Sequence, residues 1–154
     1  MSLPSLSLEG RVAVVIGGTS GIGLTLARGL AQAGADVVPT ARRREQVEAA
    51  AAEIEALGRR SLRVTADVTD PAAVERMFET IAAHGRLRVL VNNASYRPRQ
   101  PVHEITEEDW RRVREVTLDG AFRCIRGALP ALRPGGRIVN ILGRNALSGD
   151  PERV

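Results

Sequence analysis

Short apolar runs rich in β-branched residues alternate along this chain with longer stretches of helical periodicity. Strand and helix patterns that alternate at short loop lengths are typical of a parallel sheet with right-handed crossover connections. The alternation therefore predicts an α/β fold with a doubly wound parallel sheet. Five strands are predicted, at residues 12–16, 36–40, 61–65, 87–91 and 137–142. Helices are predicted at residues 21–33, 42–57, 71–84 and 107–132.

The bulk properties of the 154 residues fit a globular domain, because 44% of them are hydrophobic and 26% are charged. No linker, repeat or low-complexity segment divides the chain, so we expect residues 1–154 to form a single domain. No window approaches the roughly 20 apolar residues of a membrane span. Residues 1–10 also lack the basic and apolar regions of a signal peptide. We therefore expect no membrane partner and a cytoplasmic location.

Charge and residue types argue against two further classes of site. The 22 basic residues are all arginine, and they are interleaved with the 18 acidic residues rather than massed in one stretch. Aromatic residues make up 3% of the chain, too few for a base-stacking platform, so nucleic acid is not an expected partner. The only potential soft or imidazole ligands are Cys124, His84 and His103, so no metal site is expected.

A glycine-rich turn, GGTSGIG, lies between the first predicted strand and the first predicted helix. Its spaced glycines permit a tight turn, a close backbone approach to a pyrophosphate and close packing of the helix on the strand. A glycine turn alone also serves as a plain turn, but its place in a βαβ unit favours a dinucleotide site. The candidate binding residues in this turn are Gly17, Thr19, Ser20, Gly21, Ile22 and Gly23.

The glycine spacing resembles the first motif of the short-chain dehydrogenase/reductase family, T-G-x-x-x-G-[IL]-G. Later stretches resemble further motifs of the family in the same order, namely ADV at 66–68, NNAS at 92–95 and GRIVNI at 136–141. The resemblance covers nearly the whole chain from Leu8 onward and implies a Rossmann-like, dinucleotide-binding domain. It further implies hydride transfer between a nicotinamide cofactor and a small carbonyl or alcohol substrate. By this resemblance, Asp67 accepts a hydrogen bond from the adenine amino group, and Val68 belongs to the same adenine-contacting segment. The NNAS segment, with Asn93, Ala94 and Ser95, backs the adenosine ribose.

The end of the second strand decides which cofactor is expected. An acidic residue there accepts from the ribose 2′-hydroxyl of NAD, whereas arginine suits the 2′-phosphate of NADP. By resemblance the acidic position is Ala41, and Arg42, Arg43 and Arg44 follow it. We therefore predict NADP(H) over NAD(H), with Arg42 as the phosphate-binding residue. The alternative is that the three arginines form a solvated helix face.

The catalytic positions of the family are not filled in the usual way. Its serine position corresponds to Gly143 and its helical asparagine to Thr117. Its tyrosine and lysine fall near position 156, beyond Val154, as do its last strands and helices, and the chain contains no lysine. We therefore assign no catalytic residue. Tyr96 is interpreted as lining the site, and Ser148 either replaces the serine or is an ordinary loop residue.

These departures leave two functional readings open. The first is the cofactor-binding part of an NADP(H)-dependent oxidoreductase. The alternative is a catalytically inactive dinucleotide-binding module or an assembly partner. The predicted 107–132 helix has two apolar tracks, and either further chain or a second subunit is expected to cover one of them. We predict a homo-oligomer formed through this helix. Trp110 and Cys124, on the other track, are expected to pack in the core.

Overall fold

A computed structural model describes residues 6–132 and 134–143 and contains one parallel sheet with helices on both faces. The order of the strands in the sheet is β2-β1-β3-β4, and all three pairings are parallel. This arrangement confirms the doubly wound α/β fold. The strands are β1 Val12–Ile16, β2 Asp36–Thr40, β3 Leu87–Asn92 and β4 Arg137–Asn140. The helices are α1 Gly21–Gln32, α2 Arg44–Ala56, α3 Pro71–His84, α4 Glu107–Val113 and α5 Gly120–Ala128.

The predicted strand at 61–65 is wrong, because that segment touches the outer edge of β2 only at its ends. The backbone N–H of Val37 donates to the carbonyl of Arg60, and Ala41 forms an isolated parallel bridge with Thr65. Alternate residues of a strand direct their N–H groups to the same side. Between Val37 and Ala41, the residue whose N–H would face this edge is therefore Pro39. Proline has no N–H, and continuous pairing is therefore interrupted. The described sheet has four strands rather than five.

The core consists of two apolar layers, one on each face of the sheet. All five residues of β1 are buried, and consecutive residues enter opposite layers because side chains alternate along a strand. Val14 packs in one layer with Met77 and Phe78 of α3. Val15 packs in the other with Ala27 of α1 and Ile54 of α2. The helices therefore fix the sheet from both sides and leave the ends of its strands free.

The predicted 107–132 helix forms over residues 107–128 with unbroken helical backbone, but its turn type changes midway. A π-helical turn, Arg114–Asp119, separates α4 from α5, and the extra residue of such a turn rotates the faces of the two helices relative to each other. Cys124 is fully buried, as predicted, whereas Trp110 is 49% exposed, so its predicted place in the core is wrong. Gly120 lies against Val68 of the same chain, where a Cβ would come within 2.8 Å of Cγ2.

The second apolar track of this segment lies on the surface. Leu118, Phe122 and Leu129 are each more than half exposed. A second subunit as the cover of this face remains a prediction. None of the helices within residues 6–132 and 134–143 is both long and apolar enough to cross a membrane.

Candidate functional site

A cleft of about 340 Å³ opens where β1, β2 and β3 end. In open α/β sheets, ligands bind beyond the carboxyl ends of the strands, where crossovers leave in opposite directions. Most of the predicted binding residues line this cleft, namely Gly17, Thr19, Ser20, Arg42, Asp67, Val68, Asn93, Ala94 and Ser95. Gly21, Ile22 and Gly23 do not line it; they form the first turn of α1.

The turn after β1 requires glycine at two positions. Gly17 has a φ of +76°, and a Cβ there would lie 3.0 Å from the Cα of Ala94. A Cβ on Gly23 would overlap the carbonyl oxygen of Gly17 and lie 2.6 Å from Nδ2 of Asn93. The first turn of α1 can therefore pack against the end of β1 only because both side chains are absent.

Three strands hold this turn through hydrogen bonds. The N–H groups of Gly17 and Gly18 both donate to the carbonyl of Thr40, at 2.8 and 3.2 Å. Asn93 donates its backbone N–H to Ile16 at 3.1 Å and its side-chain Nδ2 to the carbonyl of Gly17 at 3.0 Å. The shape of the turn is thus fixed by β1, β2 and β3 together, before any ligand binds.

The N-terminus of α1 faces the cleft without an internal anion. Ser20 is the N-cap residue, but its side chain makes no capping hydrogen bond, and the first turn of the helix contains no acidic residue. Its N–H groups and the positive end of the helix dipole are therefore suited to an external anion such as a phosphate.

Asp67 is an ionised acceptor in the wall of the cleft. Its Oδ1 accepts hydrogen bonds from the backbone N–H of Thr69 at 2.9 Å and from the Thr69 hydroxyl at 2.8 Å. Its Oδ2 lies 3.9 Å from a guanidinium nitrogen of Arg42. Burial raises the pKa of Asp67, but the Thr69 hydrogen bonds and the charges of Arg42 and Arg112 outweigh burial and lower it.

The three arginines after β2 have different surroundings. Helix α2 begins at Arg44 rather than at the predicted residue 42, so Arg42 and Arg43 precede it and line the cleft. Arg44 pairs instead with Glu48, four residues on, at 2.8 Å. A solvated helix face is therefore the correct description of Arg44, whereas Arg42 lies beside Asp67.

Some residues of the cleft were not predicted as site residues. Thr40 lines the cleft, and its hydroxyl oxygen is buried without a hydrogen-bond partner among the described residues. Gln46 of α2 and Arg112 of α4 also line the cleft. Thr40 could have been found from the sequence, since it ends β2 directly before Ala41. Gln46 and Arg112 carry no motif, because only tertiary packing brings their helices to the cleft.

The catalytic positions of the resemblance are only partly described. Thr117 lies in the π-helical turn, where its hydroxyl accepts a hydrogen bond from the backbone N–H of Tyr96 at 3.3 Å. Tyr96 lines the cleft, as predicted. A Cβ on Gly143, which follows β4, would meet no described atom within 4 Å, and Ser148 lies outside the described residues.

Known proteins with the same pattern agree with this architecture. The family model for short chain dehydrogenases matches residues 11–153. The (5R,7aS)-5-hydroxy-7a-methyl-1-oxo-2,3,5,6,7,7a-hexahydro-1H-indene-carboxyl-CoA reductase of Mycobacterium tuberculosis is 42% identical over 139 residues, covering 86% of this chain and 53% of its own length. The 2-dehydro-3-deoxy-D-gluconate 5-dehydrogenase of Escherichia coli is 37% identical over 162 residues, covering 97% of this chain and 60% of its own length.

The fold of this chain is also similar to that of a solved structure. The crystal structure of a short chain dehydrogenase from Burkholderia cenocepacia in complex with NADP superposes with a TM-score of 0.89 at 36% identity. The match covers 95% of this chain and 60% of that one. The chain therefore spans a little over half the length of these three relatives. With a family model that matches residues 11–153, the chain belongs to the short chain dehydrogenase family of oxidoreductases.

Proposed function

We propose that this chain binds NADP(H) and is the cofactor-binding part of an oxidoreductase that acts on a carbonyl or alcohol group of a small molecule. One observation carries the proposal: Arg42 lies 3.9 Å from Asp67 in the cleft beyond the glycine turn, and no acidic residue occupies position 41. The alternative, an inactive dinucleotide-binding module, draws no support from the relatives, which are named as reductases or dehydrogenases.

The residues of the cleft fit such a cofactor in their chemistry. Gly17 and Gly23 leave a turn that any Cβ would fill, which allows a pyrophosphate to approach the backbone. The uncapped N-terminus of α1 supplies N–H donors for its charge.

The preference for NADP(H) follows from charge. A 2′-phosphate adds up to two negative charges and oxygen acceptors, which match the fork of N–H donors on a guanidinium. Among the described residues, Arg42 has no carboxylate closer than Asp67, and at 3.9 Å that contact leaves its donors available to a phosphate. The B. cenocepacia relative, solved with NADP, agrees with this choice.

NADP(H) supplies or accepts the hydride in this proposal, and the described residues bind and orient it. Thr117 keeps the backbone of Tyr96 in place at the edge of the cleft by accepting its N–H. No residue within 6–132 and 134–143 is assigned to the proton transfer.

The test of cofactor preference compares two neighbouring arginines. Calorimetric titration with NADPH and NADH is carried out on the wild type, on Arg42→Gln and on Arg44→Gln. Loss of charge-assisted hydrogen bonds predicts that Arg42→Gln weakens NADPH binding about tenfold to hundredfold and leaves NADH binding unchanged. Arg44→Gln is the matched control, because Arg44 pairs with Glu48 outside the cleft, and it leaves both affinities unchanged.

A wild type that binds NADH at least as tightly as NADPH contradicts the preference. The catalytic part of the proposal is tested by NADPH oxidation against a panel of small ketones. Binding without oxidation is expected of a cofactor-binding part and of an inactive module alike, whereas oxidation by this chain excludes the inactive module.

A further inference from the structure

Arg112 differs from its neighbour on the same helix in what it contacts. Arg111 pairs with both Glu108 and Glu115 on the outer surface. Arg112 has no carboxylate within 4.0 Å in the described ranges, although its segment is rich in glutamate. It lines the cleft instead, with its guanidinium carbon 4.5 Å from the centre of the Tyr96 ring. A cation that lines a cleft and forms no ion pair among the described residues is available to a ligand.

The Tyr96 ring is a fixed platform for this guanidinium. Its hydroxyl donates to Oδ1 of Asp109 at 3.1 Å, and the other oxygen of that carboxylate accepts from the Thr106 hydroxyl at 2.7 Å. Its backbone N–H donates to the Thr117 hydroxyl at 3.3 Å. The ring is therefore held at both ends, and Arg112 stacked on it has little conformational freedom left to lose when a ligand binds.

The position of Arg112 identifies which end of a ligand it meets. Arg112 and Asp67 line the same cleft, and the charge of Arg112 is among those that lower the pKa of Asp67. Arg42, which follows β2, lies 3.9 Å from the same carboxylate. Two arginines from different elements of the fold therefore line the cleft together with Asp67.

A guanidinium that stacks on a ring keeps a second face and all its in-plane N–H donors. The Tyr96 ring lies against Arg112, and both residues line the cleft, where a flat, electron-rich ring of a ligand can reach the guanidinium. Arginine planes and aromatic side chains stack readily on nucleobases, because every base presents a π-face. The chemistry of this pair thus suits a base better than it suits an isolated phosphate.

We infer that Arg112, backed by Tyr96, is a further binding residue for the adenine ring, which it contacts from the α4 side of the cleft. The inference rests on the proposed function, because it takes an adenine dinucleotide as the ligand. Adenine is common to NADP(H) and NAD(H), so Arg112 supports both cofactors equally. Arg42, in contrast, supports the phosphorylated cofactor alone.

The experiment uses calorimetric titration of the 154-residue chain with NADPH and NADH. Arg112→Gln is expected to weaken both ligands by the same factor, about fivefold, as for a partly exposed cation–π contact. Arg111→Gln, one residue away on the outer surface, is the matched control and leaves both affinities unchanged. Thermal unfolding without ligand checks that the two variants are equally stable.

Variants of Tyr96 test the platform separately from the cation. Tyr96→Phe keeps the ring under Arg112 but removes its hydrogen bond to Asp109, so it weakens both cofactors less than the loss of the ring does. Tyr96→Leu removes the ring and weakens both cofactors by a factor similar to that of Arg112→Gln. The Arg112→Gln, Tyr96→Leu double variant is then little weaker than either single variant, because the two residues act as one unit.

Each other outcome has a definite meaning. A loss confined to NADPH makes Arg112 a phosphate-binding residue and overturns the adenine assignment, as does an Arg112→Gln variant with wild-type affinity for both ligands. A wild type that does not prefer NADPH refutes the proposed cofactor preference, yet an equal loss in Arg112→Gln still upholds the adenine contact. A wild type that binds neither cofactor overturns both.

Discussion

Two glycines of helix α1 provide a direct test of how the turn after β1 is packed. Gly23 and Gly29 lie six residues apart in the same helix, and both have ordinary helical backbone with a negative φ. A Cβ on Gly29 would have no atom within 4 Å to contact. A Cβ on Gly23 would lie 2.6 Å from Nδ2 of Asn93 and 2.9 Å from the carbonyl carbon of Gly17. The same substitution to alanine therefore has opposite consequences.

The magnitudes follow from these contacts. At Gly29, alanine restricts the unfolded chain and favours the helix, which stabilises the protein by about 0.5–1 kcal/mol. At Gly23, the same gain is outweighed by overpacking of about 1–3 kcal/mol. Displacement of the Asn93 side chain also removes its hydrogen bond to Gly17, worth about 1 kcal/mol. We expect a net loss of about 2 kcal/mol for Gly23→Ala and a gain below about 1 kcal/mol for Gly29→Ala.

Urea unfolding followed by far-ultraviolet circular dichroism measures both changes. With a slope of about 2 kcal/mol per molar urea, the midpoint of Gly23→Ala falls by about 1 M, and that of Gly29→Ala rises by about 0.3 M. Equal slopes show that the denatured states are comparable. If the two variants shift in the same direction, the contact between the first turn of α1 and the end of β1 does not constrain position 23 as described.

Two further predictions concern buried ionisable groups. Burial raises the pKa of Asp36, but hydrogen bonds and charge from Arg60, with the charge of Arg59, lower it below 3.8 overall. The stability that this carboxylate contributes is therefore present at neutral pH and is lost as the pH falls through its folded-state pKa. We expect Asp36→Asn to lower the free energy of unfolding in urea by about 2 kcal/mol at pH 7 and by much less near pH 2. An equal cost at both pH values contradicts the role of the charge. Burial also raises the pKa of the Cys124 thiol to about 12. Labelling of this thiol by iodoacetamide at pH 8 is therefore expected to proceed only as fast as the protein opens. Rapid labelling of the folded protein would be inconsistent with this burial.

The fold and part of the cleft could be predicted from the sequence, because these parts depend on local patterns of residues. The glycine turn, the strand alternation and the placement of Asn93 after β3 all have short-range signals, and Asp67 lies in the short ADV motif. The failures arise where tertiary contacts decide. Pro39 interrupts pairing of a segment more than 20 residues away, and this effect is visible only once the outer edge of β2 is known.

The same reasoning explains what was missed on the far wall of the cleft. A continuous helix was expected over 107–132, but the turn at Arg114–Asp119 changes which side chains face inward. Trp110 consequently lies half-exposed, while Arg112 faces Tyr96. Hydrophobic periodicity cannot detect such a rotation, because it assumes one constant angle per residue.

The hydrogen bonds of Asn93 tie ligand affinity to the integrity of the sheet. Its amide joins the end of β3 to the turn after β1, while the carbonyl of Thr40 joins that turn to β2. A ligand bound to the turn therefore adds its binding free energy to the free energy that is needed to unfold the three strands. The melting temperature of the protein consequently rises with ligand concentration. Conversely, a substitution deep in β3 that raises the unfolded fraction weakens apparent affinity without altering a single ligand contact. Dissociation constants of destabilised variants must accordingly be corrected for their folded fraction before they are assigned to residues of the cleft.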